Sequence, residues 1–171
     1  MTSAPIHTGA SIYTGASIYP EFIPATDAHP THDTFEVIEA GGARGRGLRS
    51  KARFAAGSRV ARISGVLVSA SGLDTIQISP TLHLHDRWFC RYLLHGCEPN
   101  LLLDLATLDA LARCDIAPGD YLGIDYAATE DRLAHQFACA CGAGTCLGWI
   151  HGRKETPNAE GRAYLARRAG G

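Results

Sequence analysis

The sequence predicts a mainly β domain of several short sheets, closed near its C-terminal end by a bound metal. Three observations carry this. Apolar residues alternate with polar ones in short runs bounded by Gly, Pro, Asp and Ser. The strand–helix–strand rhythm of a nucleotide-binding sheet is missing. A cysteine cluster, Cys139-x-Cys141-x4-Cys146, has Gly142 and Gly144 inside it and a distant mate, Cys97, upstream.

Taken in order, residues 1–32 read as a disordered arm. Thr8-Gly9-Ala10-Ser11-Ile12-Tyr13 recurs unchanged at 14–19, and Pro5, Pro20, Pro24 and Pro30 punctuate the stretch. Two copies are too few for a solenoid. The domain opens with a strand at 35–38. A glycine-rich loop follows at 41–48, where several residues need positive φ. Residues 58–68 read as a strand, 69–74 as a turn, and 75–79 as a strand stopped by Pro80. The 82–87 stretch is extended and carries His83 and His85 on one face. Residues 88–94 read as a short helix or buried turn, and 100–105 as a strand. Residues 107–114 fit a strand or a helix. The Ile116-Ala117-Pro118-Gly119-Asp120 run is a tight turn, and 121–126 is the strand leaving it. Residues 158–168 have helical composition. The expected divisions are an arm at 1–32, a central domain at 33–127, a cysteine-rich metal segment at 128–153 and a helical tail at 154–171.

The chain has 171 residues, enough for one domain with a core. A net charge of -1 gives no general attraction to nucleic acid or acidic membranes. The basic run from Arg44 to Arg62 reads as a solvated surface, so a nucleic-acid partner is not expected. No apolar run approaches the ~20 residues of a membrane span, and the N-terminus does not read as a signal peptide. The expectation is a cytoplasmic protein whose six cysteines are thiols or metal ligands rather than disulfides.

Zinc takes four ligands in a tetrahedron, with sulfur at about 2.3 Å. Cys139, Cys141 and Cys146 leave one place, and Cys97 is the natural donor for it. Four cysteines close the coordination sphere, so the ion would be structural. The plain alternative is buried free thiols. His95 is a rival ligand, ranked second because alternate residues of an extended chain point apart. Cys90 and Cys114 lie outside the pattern and read as small buried apolar groups.

Gly45-Arg46-Gly47 fails the GxGxxG spacing of a dinucleotide loop. It reads either as a flexible basic turn or as backbone that approaches a ligand carboxylate. Tyr126 alone reads as a core or rim tyrosine, and Phe137 as core.

Together these pieces resemble a SET domain followed by its post-SET zinc segment, the family of lysine methyltransferases that use S-adenosylmethionine. The resemblance runs from about residue 35 to about 152, with its pieces in the family's order. GRGL stands at 45–48. RYLLHGCEPN at 91–100 stands for the family's RFINHSCEPN. DIAPGDYLGIDY matches DIxxGEELTxDY, and FACACGAGTCLGWIHG matches the post-SET pattern. It implies a β-clip fold of short sheets with a threaded pseudoknot, in the compact form of bacterial members that end in a short helix. It assigns Gly45, Arg46 and Gly47 to the methionine end of the cofactor, and Arg91 to its carboxylate. His95 would meet the adenine through its backbone, and Phe137 would close over it. Tyr126 would be the catalytic tyrosine, with Asp125 and the threading of 91–100 fixing its position. Ile124 would limit how many methyl groups fit.

The chain departs from the pattern at three places. Leu94 replaces the family's Asn, so a side-chain amide at the cofactor-binding position is lost, costing about 1 kcal/mol or roughly fivefold in affinity. Gly96 replaces Ser. The strand usually read as YxGE is Ile63-Ser64-Gly65-Val66, so Ile63 stands where the substrate channel has tyrosine. The expected activity is methyl transfer to a protein or peptide lysine. The alternatives are a small-molecule amine as acceptor, or a catalytically weak zinc-stapled binding domain.

Overall fold

The structure is a computed structural model that describes residues 15–23, 26 and 28–170. Among the described residues, twelve short strands form five small sheets, accompanied by two α-helices. β1 (Phe35–Glu39) and β2 (Arg46–Ser50) make an antiparallel pair with Ile38 opposite Gly47. The glycine turn between them is shorter than the sequence suggests, since Gly47 and Leu48 already belong to β2. Gly41, Gly42 and Gly45 have positive φ, as that turn requires.

The 58–68 stretch is two strands rather than one. β3 (Arg59–Arg62) joins β8 (Leu101–Asp104) and β9 (Asp109–Ala112) in the order β3-β9-β8. β4 (Val66–Val68) joins β5 (Thr75–Ser79) and β6 (Leu82–His85) in the order β4-β6-β5. The break falls at Ser64, whose N–H leaves the ladders to bond the Tyr19 hydroxyl at 2.9 Å. Of the two histidines of β6, His83 is buried and His85 half-buried. Residues 109–112 resolve as strand because β8 supplies a ladder, Leu101 opposite Ala112 through Asp104 opposite Asp109.

A 3-10 turn at Cys90–Tyr92 leads into β7 (Leu94–His95), which runs parallel to β10 (Gly123–Ile124). The strand expected over 121–126 stops at Ile124. Asp125 then caps the short helix α1 (Tyr126–Thr129), its carboxylate accepting from the Ala127 N–H at 3.0 Å. β11 (Phe137–Ala138) pairs with β12 (Trp149–Ile150) across the cysteine loop. α2 (Ala159–Ala169), capped by Asn158, packs through Tyr164 on Trp149 with ring centroids 5.7 Å apart.

The core gathers Phe35, Leu48, Phe54, Phe89, Leu93, Ile116 and Leu122 between these sheets. Phe35 stacks on Phe54 at 5.9 Å and meets Phe89 edge-on at 5.3 Å. Within it sits a fully buried carboxylate, Asp86. Such a charge is costly unless hydrogen-bonded, and Asp86 accepts from the Trp88, Phe89 and Cys90 N–H groups and from the Tyr19 hydroxyl, at 2.8–3.0 Å.

Tyr19 overturns part of the expected arm. The first TGASIY copy lies outside the described residues, but most of the second is strapped to the domain. Ser17 bridges Thr31, the Ile18 N–H bonds the Pro30 carbonyl at 2.9 Å, and Tyr19 and Ile23 are buried. The short repeat and its prolines suggested mobility; the order of the second copy comes in part from a polar partner, Asp86, 67 residues from Tyr19 in sequence. Among the described residues, no helix is long and apolar enough to cross a membrane.

Replacing Tyr19 with Phe removes one donor from Asp86 and the acceptor of the Ser64 N–H. The expected loss is about 1–3 kcal/mol of unfolding free energy, read as a lower urea midpoint at unchanged slope.

Candidate active site and metal centre

Residues 93–97 hold the site together. The Leu94 N–H bonds the Leu122 carbonyl and the Gly96 N–H bonds the Ile124 carbonyl, both at 3.0 Å. Asn100 locks the same crossing from the other side. Its amide donates to the Tyr121 carbonyl at 2.8 Å and its oxygen accepts from the Gly123 N–H at 2.9 Å. These bonds set two sequence-distant segments side by side and bring Tyr126 over Leu93.

The Tyr126 hydroxyl donates to the Leu93 carbonyl at 2.5 Å. Burial, with smaller contributions from Cys90 and Glu130, pushes its pKa up to about 12. The phenol is therefore a neutral donor at any physiological pH. Its oxygen keeps lone pairs for a second partner.

Three rings enclose this point. His95 and Tyr126 are 5.3 Å apart, His95 and Phe137 5.8 Å, and Tyr126 and Phe137 6.2 Å, all edge-to-face. Tyr126 and Phe137 line a cavity with Arg91, Cys90, Ile76, Leu73, Asp74 and Glu130. Arg91 binds Asp74 at 2.9 Å, and Arg87 reaches the same carboxylate at 3.7 Å. Glu130 is buried and accepts from the Gln77 N–H at 3.0 Å. Burial raises its pKa, against the pull of that hydrogen bond and of Arg153.

The other expected ligand-binding residues fall nearby. Gly45 and Arg46 are exposed at the start of β2. The Arg46 guanidinium lies 5.2 Å over the Tyr92 ring, and that of Arg91 lies 5.9 Å from its centroid, so both cations contact one aromatic ring. A Cβ on Gly47 would come within 2.9 Å of a Leu94 methyl and 3.0 Å of the Tyr121 ring. The backbone at Gly47 is pressed against the residue that replaces the family's Asn. Leu94 and His95 line a second hollow with Arg44, Gly123 and Cys141. The two expected channel residues line neither of these two cavities. Ile63 and Ile124 are each 1% exposed and belong to the core. Ile124 is the inward residue of β10 and Ile63 lies just past the end of β3, and the fold spends both on packing. Sequence reasoning passed over the wall residues Leu73, Asp74, Ile76 and Glu130, which carry no motif, and took Cys90 as core alone.

The four cysteines converge as expected. The sulfurs of Cys97, Cys139, Cys141 and Cys146 all lie within 4.8 Å of one another. Cys97 and Cys139 are 3.8 Å apart, which matches the edge of a tetrahedron of thiolates about 2.3 Å from a central zinc, roughly 3.8 Å. Donors surround the sulfurs. The Cys141 N–H faces the Cys139 sulfur and the Leu147 N–H faces that of Cys97, both at 3.4 Å. Arg168 reaches the Cys146 sulfur at 3.9 Å and its carbonyl at 3.3 Å. Arg44 clasps the loop from the other side through the Ala140 and Cys141 carbonyls, at 3.0 and 3.1 Å. Burial pushes the Cys141 thiol up, but backbone amides and neighbouring thiols donating to it hold it down at about 6, whereas burial raises that of Cys97. This donor set fits a closed metal centre. The expectation that His95 and Cys97 point apart is corrected. Strand geometry ends at His95, Gly96 turns the chain, and the His95 Nε2 lies 3.4 Å from the Cys97 sulfur.

No protein-family model matches the chain. It is 30% identical over 139 residues to the methyltransferase flvH of Aspergillus flavus, covering 79% of this chain and 78% of that protein. The fold matches the methyltransferase domain of the human histone-lysine N-methyltransferase SETMAR with a TM-score of 0.54 at 21% identity, over 68% of this chain and 57% of that one. It also matches KRYPTONITE, solved with mCHH DNA, an H3(1-15) peptide and SAH, with a TM-score of 0.55 at 26% identity, over 67% of this chain. The chain spans only 29% of the KRYPTONITE chain. Sequence kinship across most of a compact relative, with this architecture, places the chain in the SET-domain family of S-adenosylmethionine-dependent methyltransferases.

Proposed function

We propose that the chain methylates an amine nitrogen, that of a lysine side chain in a protein or peptide, with Tyr126 as the catalytic residue and zinc held by Cys97, Cys139, Cys141 and Cys146. The observation that carries this is the Tyr126 hydroxyl, pinned to the Leu93 carbonyl inside a triangle of rings. KRYPTONITE's peptide complex supports a peptide acceptor. When bound, S-adenosylmethionine supplies a methyl group on a positively charged sulfur, ready for displacement at carbon.

The chain's own residues do the rest by placement and electrostatics. Phe137 and Tyr126 offer aromatic walls, and Arg46 and Arg91, each against the Tyr92 ring, offer positive charge to an amino-acid carboxylate. Leu94 contributes bulk where the family has an amide. Tyr126, donating to Leu93, presents its remaining lone pairs to an incoming N–H and so orients the amine. Glu130, in the same cavity, favours a cationic stem at the approach. The amine attacks only when neutral, and its unperturbed pKa is about 10.4. Closing the cavity against water favours that neutral form. Zinc would tie β11 and β12, and with them Phe137, to the 93–97 segment.

A small amine as acceptor is the second reading. It is favoured by the core position of Ile63, where a lysine channel has tyrosine, and by the cavity's carboxylates Asp74 and Glu130. Labelled cofactor with lysine peptides on one side and small diamines on the other separates the two. Transfer to diamines alone would replace the lysine assignment.

Tyr126→Phe is expected to lower kcat by about 10²–10³-fold, with cofactor affinity by calorimetry within about threefold of wild type. An unchanged kcat would remove Tyr126 from the chemistry. The pH profile follows from the raised phenol pKa. Between pH 7 and 10, kcat/KM should rise as the acceptor amine loses its proton, with no fall from Tyr126 ionisation below about pH 12. A decline that tracks tyrosinate absorbance in that window would contradict it. Chelation should strip one zinc per chain and weaken cofactor binding by at least about tenfold, since thiolate-bound zinc supplies on the order of 10 kcal/mol to such a module. Full cofactor affinity in a metal-free sample would uncouple the two sites.

A further inference from the structure

The imidazole of His95 stands between the metal centre and Tyr126, and its side chain is only 3% exposed. Nδ1 faces the Tyr126 backbone N–H at 3.3 Å. A backbone N–H can only donate, so Nδ1 accepts and carries no proton. In a neutral imidazole the proton then resides on Nε2. Nε2 faces the Cys97 sulfur at 3.4 Å, and a thiolate there is an acceptor. The Asp125 carboxylate is a poor competitor for Nδ1. It lies 3.9 Å away, and its Oδ1 already accepts from the Ala127 N–H.

Tyr126 needs this partner. As the first residue of α1, it has a backbone N–H without an intrahelical acceptor. Its other end, the hydroxyl, rests on the Leu93 carbonyl. Both ends of Tyr126 are therefore held by one short segment, 93–97, whose last residue is a metal ligand.

We infer that His95 is a positioning residue that couples the two sites, donating through Nε2–H to the Cys97 thiolate and accepting the Tyr126 N–H at Nδ1. The proposal rests on the reading of Tyr126 and the four cysteines given above. A shift of Cys97 on metal loss is passed through the ring to the backbone of Tyr126. In the other direction, the N–H···S bond draws charge from the sulfur and tunes the centre, as partners of metal ligands generally do.

The test uses the full chain loaded with cadmium or cobalt in place of zinc. Nitrogen NMR of the cadmium form should show His95 as the Nε2–H tautomer, with a scalar coupling from that proton through sulfur to the metal. The Nδ1–H tautomer, or Nε2–H without coupling, overturns the inference without any substitution. In the cobalt form, His95→Leu keeps bulk but removes both bonds. It should move the thiolate-to-metal charge-transfer band to lower energy and release cobalt to a chelator about tenfold faster or more. In the zinc form, the same variant should lose about tenfold in kcat with the cofactor KM within about threefold. His95→Gln, which can accept and donate, should recover part of each loss. An unmoved band, or equal losses of kcat in the Leu and Gln variants, would reduce His95 to packing. Cofactor titration of the wild-type protein keeps the outcomes separate. If it does not bind, the proposed reaction falls while the NMR result stands; if it binds and His95→Leu turns over normally, only the coupling falls.

Discussion

Two residues of parallel pairing, Leu94 with Gly123 and His95 with Ile124, hold this molecule's chemistry in place. Parallel strands so short would not persist alone. Here the pairing is extended by the Leu94 and Gly96 amides and closed by the Asn100 side chain, which bonds both the carbonyl of Tyr121 and the amide of Gly123. The crossing sets the Leu93 carbonyl under the Tyr126 hydroxyl, the His95 ring against the Tyr126 backbone, and the Cys97 sulfur where the C-terminal loop arrives.

From that crossing the remaining parts take their positions. The cysteine loop cannot build a tetrahedron from Cys139, Cys141 and Cys146 alone. Its closure on Cys97 carries β11, and therefore Phe137, beside Tyr126. Arg44 and Arg168 reach the loop from opposite ends of the chain and bring positive charge beside the four sulfurs. A second tether runs through Gln77, which binds Asp131 through both atoms of its amide while its backbone N–H binds Glu130. The segment after α1 is thus anchored to β5, and the cavity has a floor. The sheets on the far side contribute rigidity more than chemistry. Their shared centre is the Asp86 carboxylate, whose four donors tie the N-terminal strap to the turn that presents Arg91.

The departures from the family pattern divide by consequence. Leu94 leaves the crossing intact, because its backbone makes the pairing and its side chain packs on Gly47. What it changes is the polarity of the hollow it lines. Ile63 is different in kind: its side chain is packed in the core, and the open cavity is bounded by Leu73, Ile76 and Glu130. The walls of that cavity thus lie outside the family's signature runs.

The chain by itself determined most of the strand pattern, the turn at Pro118-Gly119, the C-terminal helix and the grouping of four cysteines suited to a metal. Each is written in local periodicity, turn chemistry or the fixed stoichiometry of a thiolate site, which a linear reading captures. Only the tertiary structure decided that the second TGASIY copy is seated, that 58–68 breaks into two strands and that His95 faces Cys97. It also decided that Ile63 and Ile124 are core. The physical reason is common to all of them. Tyr19 is ordered by Asp86, the break by Tyr19, and His95 by the turn at Gly96 and a helix start at Tyr126. These partners lie far along the chain or beyond a strand's end, where neither alternation nor spacing carries information about what a side chain will meet.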